Sequence, residues 1–299
     1  MSRLLLAAAA SCLMVTSVLA GEGARANFLL PADTNIISLT GTLIQTELGL
    51  NQGSAFAITP SYRRTIDVGG NAGALLIGIP LGSVSADLDF GGGGIIHQEA
   101  DFAQGDLFLG AELGLIGSPS LAPIDYAQYQ PGFRLGAAAK LFLPTGDYDS
   151  TRFTNLGGNR WSLKASLPIS YVLADSMIDP AMTTFELLPS VSIFGDNDDA
   201  IGPADVVSQA PIWGVEAHVS HSFSRTVWAA LDAVYQTGGE TTSDGTPDGN
   251  ATESLALGAT LGLVLSPSLA LRLSYLEQVY SNVPDSRDRD LQVTAAFRF

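Results

Sequence analysis

The sequence is poor in cysteine, histidine and charge, and each shortage excludes a class of protein. Its single cysteine, Cys12, excludes a disulfide framework and a thiolate metal site. Three histidines are too few for most histidine-rich metal centres. Only 15% of the residues are charged, against about 25% in ordinary soluble domains. With 14 basic and 30 acidic residues the formal net charge is −16, which argues against nucleic-acid binding.

Long continuous apolar runs are also missing beyond the N-terminus, although 46% of the residues are hydrophobic. No later segment reaches the roughly 18 apolar residues of a membrane helix. Apolar residues instead alternate with polar or small ones, as in residues 161–171, where every odd position is apolar. Residues 254–265 and 269–275 repeat the pattern. Because successive side chains of a strand point to opposite faces, each segment has one apolar and one polar face.

The N-terminus has the organisation of a signal peptide. Arg3 precedes an apolar run over residues 4–20, small residues follow, and Ala24-Arg25-Ala26 fits an A-x-A cleavage site. We therefore predict a signal peptide over residues 1–26 and an exported mature chain over residues 27–299. Cleavage after Val18-Leu19-Ala20 is the alternative.

Two folds agree with the alternating segments: a soluble β-sandwich, and a transmembrane barrel whose apolar face meets lipid. Aromatic residues at both ends of the apolar face favour the barrel, since Trp161 and Tyr171 are ten residues apart, as are Trp213 and Phe223. Ten tilted residues rise about 25 Å, the height of an outer-membrane apolar band. We interpret these four side chains as membrane-interface anchors.

The last residues of the chain also favour the barrel. Residues 291–299 form an alternating segment that includes Phe297 and ends at Phe299. This ending resembles the C-terminal assembly signal of bacterial outer-membrane barrels, although Thr294 stands where a glycine is usual. It implies recognition by the barrel-assembly machinery.

The sequence thus predicts an all-β, antiparallel, up-and-down transmembrane barrel of about twelve strands. An even number places both termini in the periplasm. The connection over residues 117–131 is long for a periplasmic turn, and residues 83–104 have room for an extra pair, so fourteen strands is the alternative. The predicted strands are 36–46, 55–66, 72–82, 105–116, 132–143, 161–173, 183–194, 211–223, 227–238, 253–265, 269–280 and 290–299.

Short motifs recur at the ends of these strands. They are Gly105-Asp106, residues 143–149, residues 155–161, residues 216–220, residues 238–242 and Asp244-Gly245. These motifs resemble those of one outer-membrane family, the proteins associated with the meta pathway of phenol degradation, and their order and spacing agree over roughly residues 70–299. The resemblance implies a channel-like barrel related to transporters of hydrophobic and aromatic compounds.

The motif over residues 143–149 also has a local explanation. Pro144 removes a ladder donor and Gly146 permits an unusual backbone angle, so a strand ends and a turn begins here. The returning segment 155–161 brings Trp161 to the membrane interface. Either this loop only builds the barrel rim, or it folds over the mouth as a gate.

Charged side chains between the apolar ones are expected to point into the lumen. They would form either a hydrated constriction that orients solutes or a salt-bridged ladder that plugs the barrel. A sharper hypothesis is a positive stripe that favours anionic or polar-headed aromatics, formed by Arg134, Lys140, Lys164 and Arg272. The complete set of lumen candidates is Arg63, Glu112, Arg134, Lys140, Lys164, Glu186, Glu216, His218, Asp232 and Arg272.

Enzymatic activity is not expected. His218 and Ser220 share a strand face with Glu216, as a base and nucleophile would in a barrel-embedded lipid-modifying enzyme, the minor alternative. This face points away from lipid, however, and no G-x-S-x-G motif accompanies it. Residues 196–199 resemble the start of a calcium loop without its glycine and distal glutamate. We therefore predict no catalytic residues, no cofactor and no metal.

These observations predict a protein of the bacterial outer membrane that mediates passive or facilitated uptake of small hydrophobic or aromatic solutes. The alternative is a structural or adhesive barrel with a closed lumen. The expected partners are outer-membrane lipids and lipopolysaccharide, the barrel-assembly machinery and the solutes, with no nucleic acid.

Overall fold

The computed structural model describes residues 21–28, 30–89 and 94–299. The predicted signal peptide therefore lies largely outside the described residues. One short helix, α1 (Pro123–Gln128), stands between the sixth and seventh strands. The strands are β1 (Asn35–Leu48), β2 (Asn51–Val68), β3 (Asn71–Gly78), β4 (Leu81–Asp89), β5 (Ile95–Gln104), β6 (Phe108–Ile116), β7 (Phe133–Phe142), β8 (Ser162–Ser166), β9 (Ile169–Leu173), β10 (Thr183–Phe194), β11 (Val207–Gln209), β12 (Ile212–Ser222), β13 (Val227–Gly238), β14 (Thr241–Ser243), β15 (Thr246–Pro247), β16 (Thr252–Ser266), β17 (Leu269–Ser281) and β18 (Ser286–Arg298).

Fifteen of these strands form one antiparallel sheet that closes on itself, because β1 pairs with both β2 and β18. Three pairs of strands act as single, interrupted strands. β3 and β4 both run along β2, β5 and β6 continue beside them, and β8 and β9 both lie between β7 and β10. The barrel therefore has twelve staves, which confirms the predicted fold and the strand number.

Proline explains two of the interruptions. Pro80 follows β3, and Pro168 separates β8 from β9; each lacks the backbone donor that a continuous ladder needs. Pairing continues through their carbonyl oxygens, which accept hydrogen bonds from Gly105 at 2.8 Å and from Gly136 at 2.8 Å. The staves bend at these points without losing closure.

Residues 83–104 lengthen two staves and do not form an additional pair, so the fourteen-strand alternative is wrong. On β3 the apolar side chains Leu75 and Ile77 face outward, whereas on β4 Val84, Ala86 and Leu88 are buried inside. The phase of the alternation therefore reverses beyond Pro80. A stave that leaves the lipid meets water on its outer face, so its apolar residues turn inward.

The two faces of the sheet have opposite chemistry within the membrane region. On β13, Leu231 is 72% exposed on the outer surface while its neighbour Asp232 is 6% exposed. Thr184 and Ser220, on β10 and β12, are completely buried inside. An uncovered apolar outer belt around a polar interior suits lipid and excludes the soluble sandwich.

The first strand begins and the last strand ends at one end of the barrel, where Asn35 and Phe299 exchange backbone hydrogen bonds of 3.0 Å. At the same end, Gly69 and Gly70, both with positive φ, make the two-residue turn between β2 and β3. The long connection there holds α1. Within the described part of the chain, no helix is long and apolar enough to cross a membrane.

The opposite end of the barrel carries the longer connections. The small sheet β11-β14-β15 stands above the rim. The connection between β7 and β8 bends inward over the mouth, where Phe153 packs against Ala86 and Leu88, and Leu156 packs against the cluster around Val84. We call this connection, residues 143–161, the rim loop.

Candidate functional site

The interior of the barrel contains residues 21–28, which we call the lumenal segment. Arg63 Nη1 donates to the Ala26 carbonyl oxygen at 3.0 Å, and Arg272 Nη1 donates to that of Ala24 at 3.4 Å. Ala24 itself has no exposed surface. The predicted cleavage point after Ala26 falls within this segment, and the position of cleavage stays a prediction.

Glu22 lies between two lysines of neighbouring staves. Lys140 on β7 and Lys164 on β8 are directly opposite in the sheet register. The Glu22 carboxylate is 2.5 Å from Lys140 Nζ and 3.6 Å from Lys164 Nζ, and its backbone N–H donates to Glu216 Oε2 at 2.7 Å. Like charges on opposite cross-strand positions repel, so Glu22 supplies the anion that this pair requires.

Arg25 is held by β10, β12 and β13, the staves that follow β8 in the sheet. Its backbone N–H donates to both carboxylate oxygens of Glu186 at 3.1 Å, and its Nε donates to Ser220 Oγ at 2.8 Å. Its guanidinium also donates to Ser222 Oγ at 3.1 Å and lies 4.5 Å from the centre of the Trp228 ring. Glu22 and Arg25 together anchor the lumenal segment to the part of the wall from β7 to β13.

A buried histidine cluster adjoins the segment. His218 Nδ1 is 2.7 Å from Asp232 Oδ1, His218 Nε2 is 3.6 Å from Glu216 Oε2, and Thr260 donates to Asp232 Oδ2 at 2.6 Å. Ser220 hydrogen-bonds with Thr184 at 2.7 Å and with Arg25. Among the described contacts no hydrogen bond joins His218 to Ser220, so the base and nucleophile of the enzymatic alternative are not paired.

The other predicted lumen residues also have partners inside the barrel. Arg63 and Glu112 form an ion pair at 2.5 Å. Arg134 Nε donates to Ser118 Oγ at 3.3 Å, and its guanidinium lies 5.1 Å from the centre of the Phe28 ring. Within the hypothetical positive stripe, the two lysines are therefore compensated by Glu22 and Glu216, whereas Arg134 and Arg272 form no ion pair among the described contacts.

A cavity of about 910 Å³ runs beside the lumenal segment. Its lining reaches from Asp106 and Arg160 at the rim to Arg225, which lies in a turn at the opposite end, where β1 begins and β18 ends. One wall consists of hydroxyl groups, contributed by Ser38, Thr40, Thr42, Thr59 and Ser61. Aromatic rings line other parts of the wall, namely Phe108, Phe142, Phe194 and Trp228.

Asp106 fastens the rim loop over the mouth of this cavity. Its two carboxylate oxygens accept the backbone N–H groups of Gly146 and Gly158, each at 2.9 Å. Burial raises the pKa of Asp106 above its ordinary value, and these backbone donors lower it in part. Gly157 contacts Gly146 so closely that a Cβ at Gly146 would lie 2.6 Å from the Gly157 Cα. The loop motifs noted in the sequence thus meet at one clamp.

The predicted interface anchors and terminal aromatics are all exposed on the outer surface: Trp161, Tyr171, Trp213, Phe223, Phe297 and Phe299. The Phe297 and Phe299 rings stack with centroids 5.9 Å apart. Their exposure agrees with a lipid-facing position. Their roles as anchors and assembly signal remain predictions.

Residues 34–285 match the profile of the family described as "Putative MetA-pathway of phenol degradation". The chain belongs to this family. Among solved structures it resembles the COG4313 outer membrane channel from Pseudomonas putida F1, with a TM-score of 0.75 and 19% identity over 93% of this chain and 99% of that one. It also resembles the TodX deltaS2S3 mutant monoaromatic hydrocarbon channel, with a TM-score of 0.50 and 11% identity over 95% and 94% of the two chains. A search of curated proteins finds no significant match.

The family match covers the whole barrel up to the start of β18, so the motifs that suggested the resemblance lie within it. The first structural relative shares the barrel over nearly its full length. A closed barrel with an apolar outer belt and this relationship places the protein in the bacterial outer membrane.

Residues 21–28 are the part of the site that sequence reasoning missed. Small-residue steps suitable for cleavage occur at both Ala20 and Ala26, so the pattern alone does not decide which side of Glu22 the mature chain begins on. Glu22 and Lys140 are 118 positions apart, a pairing that strand periodicity does not reveal.

Proposed function

We propose that this protein is an outer-membrane channel for the passive or facilitated uptake of small hydrophobic or aromatic solutes. The observation that carries this proposal is the cavity of about 910 Å³, which extends from the rim to the end where β1 begins and β18 ends. Cavities of 300–1,000 Å³ are typical of small-molecule sites. The names of the two structural relatives, an outer membrane channel and a monoaromatic hydrocarbon channel, agree with the proposal.

The chemistry of the cavity wall supports a neutral solute with an apolar body. The aromatic rings of Phe108, Phe142, Phe194 and Trp228 offer faces and edges against which another ring packs. The hydroxyl groups on β1 and β2 can orient one polar substituent. Lys140 and Lys164 are paired with Glu22 and Glu216, so these carboxylates compensate the positive charge that the two lysines would present to a solute.

A pair of tryptophan substitutions on β10 tests the proposal. Ser192 lines the cavity, whereas the next residue, Ile193, is exposed on the outer face. Ser192→Trp should narrow the path and lower uptake of a radiolabelled monoaromatic several-fold in a strain that lacks the native gene. Ile193→Trp adds the same ring to the lipid face and should leave uptake unchanged.

The readout is the initial uptake rate at equal amounts of folded barrel in the membrane. If Ser192→Trp transports the solute as fast as the wild type, the cavity is not the route. If the deletion strain takes up the solute normally, the channel function itself is refuted.

A structural barrel with a closed lumen is the second candidate, and the lumenal segment is the observation that favours it. Residues 21–28 and the ion pairs around them occupy much of the interior. A deletion strain with normal solute uptake but a permeable or mechanically weak envelope would support this candidate. Lipopolysaccharide and the assembly machinery are the proposed partners of either kind of barrel.

A further inference from the structure

A small acidic pocket lies where the lumenal segment begins. It has a volume of about 10 Å³, enough for one water molecule or one small cationic group. Gly21 and Gly23 form part of its wall, and the remaining wall includes His218, Asp232 and Asp290. Residues of β12, β13 and β18 therefore line the same pocket as Gly21, together with residues of β16 and β17.

One carboxylate oxygen in this pocket has no partner. Asp290 is 2% exposed, and although its Oδ2 accepts a hydrogen bond from Gln292 at 2.9 Å, its Oδ1 accepts none from the described residues. A buried carboxylate oxygen without a donor is costly. Asp290 Oδ1 thus has no donor among the described residues, and a positively charged donor would satisfy it.

Glu216 also faces Gly21. Its Oε2 already accepts the Glu22 backbone N–H, and a Cβ on Gly21 would lie 2.9 Å from the same oxygen. The backbone nitrogen and this Cβ position are both bonded to the Gly21 Cα, so the nitrogen also lies near the Glu216 carboxylate. While Ala20 is attached, this nitrogen is a neutral amide with a single N–H. Once it is a chain terminus, it is an ammonium group with three donors.

The sequence before Gly21 is suited to cleavage. Val18-Leu19-Ala20 places the short side chains of Ala20 and Val18 at the first and third positions before the bond. Cleavage after Ala26 would instead remove Glu22 and leave Lys140 and Lys164 facing each other. Removing one partner of a buried pair is strongly destabilising.

We propose that signal peptidase cleaves the bond between Ala20 and Gly21 and that the new α-ammonium group binds to Asp290, which lines the pocket, and to Glu216, whose carboxylate lies beside Gly21. Water adds across the peptide bond, which leaves a carboxylate on Ala20 and an ammonium group on Gly21. Capture of an N-terminal amine by oriented acceptors is a known mode of recognition. Maturation thereby creates the group that fastens the lumenal segment to the wall.

The first test is the N-terminal sequence of the barrel purified from outer membranes, supported by its intact mass. The expected sequence is Gly-Glu-Gly-Ala, beginning at Gly21. A sequence that begins at Asn27 would overturn the proposal as a whole.

The second test measures how fast an aldehyde reagent modifies the N-terminal amine of the folded barrel in detergent. Asp290→Asn removes the acceptor charge, and the rate should rise about tenfold, because charge-assisted hydrogen bonds are among the strong ones. Asp288→Asn is the matched control, since Asp288 lies two residues earlier on the same face of β18 and outside the pocket lining. It should react as the wild type does. Equal rates in wild type and Asp290→Asn would refute the binding of the amine.

If Asp290→Asn does not assemble, the pH dependence of the wild-type reaction decides. The midpoint should lie above the ordinary range of about 7.7–8.0 for an α-amino group, because nearby carboxylates favour the ammonium form. A midpoint within that range would contradict the proposal. The charged and titratable groups that act on the amine are Asp290 on β18, Asp232 on β13, Glu216 and His218 on β12, Lys164 on β8 and Arg272 on β17.

Discussion

Glu22→Gln provides the sharpest test of how the lumenal segment is held. The substitution keeps the shape of the side chain but removes the charge that contacts Lys140 at 2.5 Å and Lys164 at 3.6 Å. The three side chains are 20–24% exposed, so the pairs are partly buried. Lys164 keeps Glu216 at 3.2 Å, whereas Lys140 loses its one described carboxylate partner.

The expected cost follows from this asymmetry. Breaking a buried pair from one side costs about 3–5 kcal/mol, and the second partner of Lys164 places the loss near the lower end. A loss of about 3 kcal/mol raises the fraction of undocked segment about 150-fold, since each 1.4 kcal/mol is a factor of ten. This estimate refers to docking of the segment and not to unfolding of the barrel.

The near absence of cysteine makes the assay simple. Because Cys12 lies in the predicted signal peptide, Ala24→Cys introduces a single thiol at a position with no exposed surface. Its labelling by a polyethylene-glycol maleimide reports undocking. In this background Glu22→Gln should accelerate labelling about 150-fold, in proportion to the undocked fraction.

The matched control is Glu47→Gln, which removes another paired glutamate, one that contacts Arg289 on the outer face at 3.0 Å. It should leave the labelling rate unchanged. If Glu22→Gln labels no faster than the background, the ion pairs with the two lysines do not hold the segment. If no label enters even in denaturant, the mature chain lacks residue 24.

Three further variants address the field in the lumen, the rim loop and assembly. Lys164→Glu adds a carboxylate beside Glu22 and Glu216, so reversal potentials in planar bilayers should shift towards cation preference. An unchanged ion preference would show that Lys164 does not influence which ions pass. Asp106→Ala leaves two backbone donors without acceptors, at about 1.5–3 kcal/mol each, so trypsin should cut faster at Arg152; Asp106→Asn should show a smaller effect. Phe299→Ala should lower the heat-modifiable, folded fraction in outer membranes, whereas equal assembly would refute its role as a signal.

The number of strands and the apolar or polar character of each face were predictable, because lipid requires every stave within the membrane to have an apolar outer face. The rule fails where the lipid ends. Val84, Ala86 and Leu88 keep the alternation but with the apolar face inward, because Phe153 and Leu156 of the rim loop cover them from inside and water lies outside. A pattern that assumes one constant phase therefore ends the predicted strand at residue 82 and assigns residues 83–104 to a loop.

Partners across the lumen were not predictable from periodicity, yet the register contains a clue to one of them. Lys140 and Lys164 occupy directly opposed positions on adjacent staves and point to the same side. Two ammonium groups in that arrangement repel unless an anion lies between them. The other cross-strand neighbour of Lys164 is Ser192 and that of Lys140 is Gly110, so neither adjacent stave provides a carboxylate there. Glu216 on β12 contacts Lys164 at 3.2 Å, but no described carboxylate of the wall forms an ion pair with Lys140, so an acidic residue before β1 that enters the barrel can supply the anion between the two lysines. Glu22 meets that requirement. The lysine pair on the wall therefore favours a mature chain that still contains Glu22 after cleavage of the signal peptide.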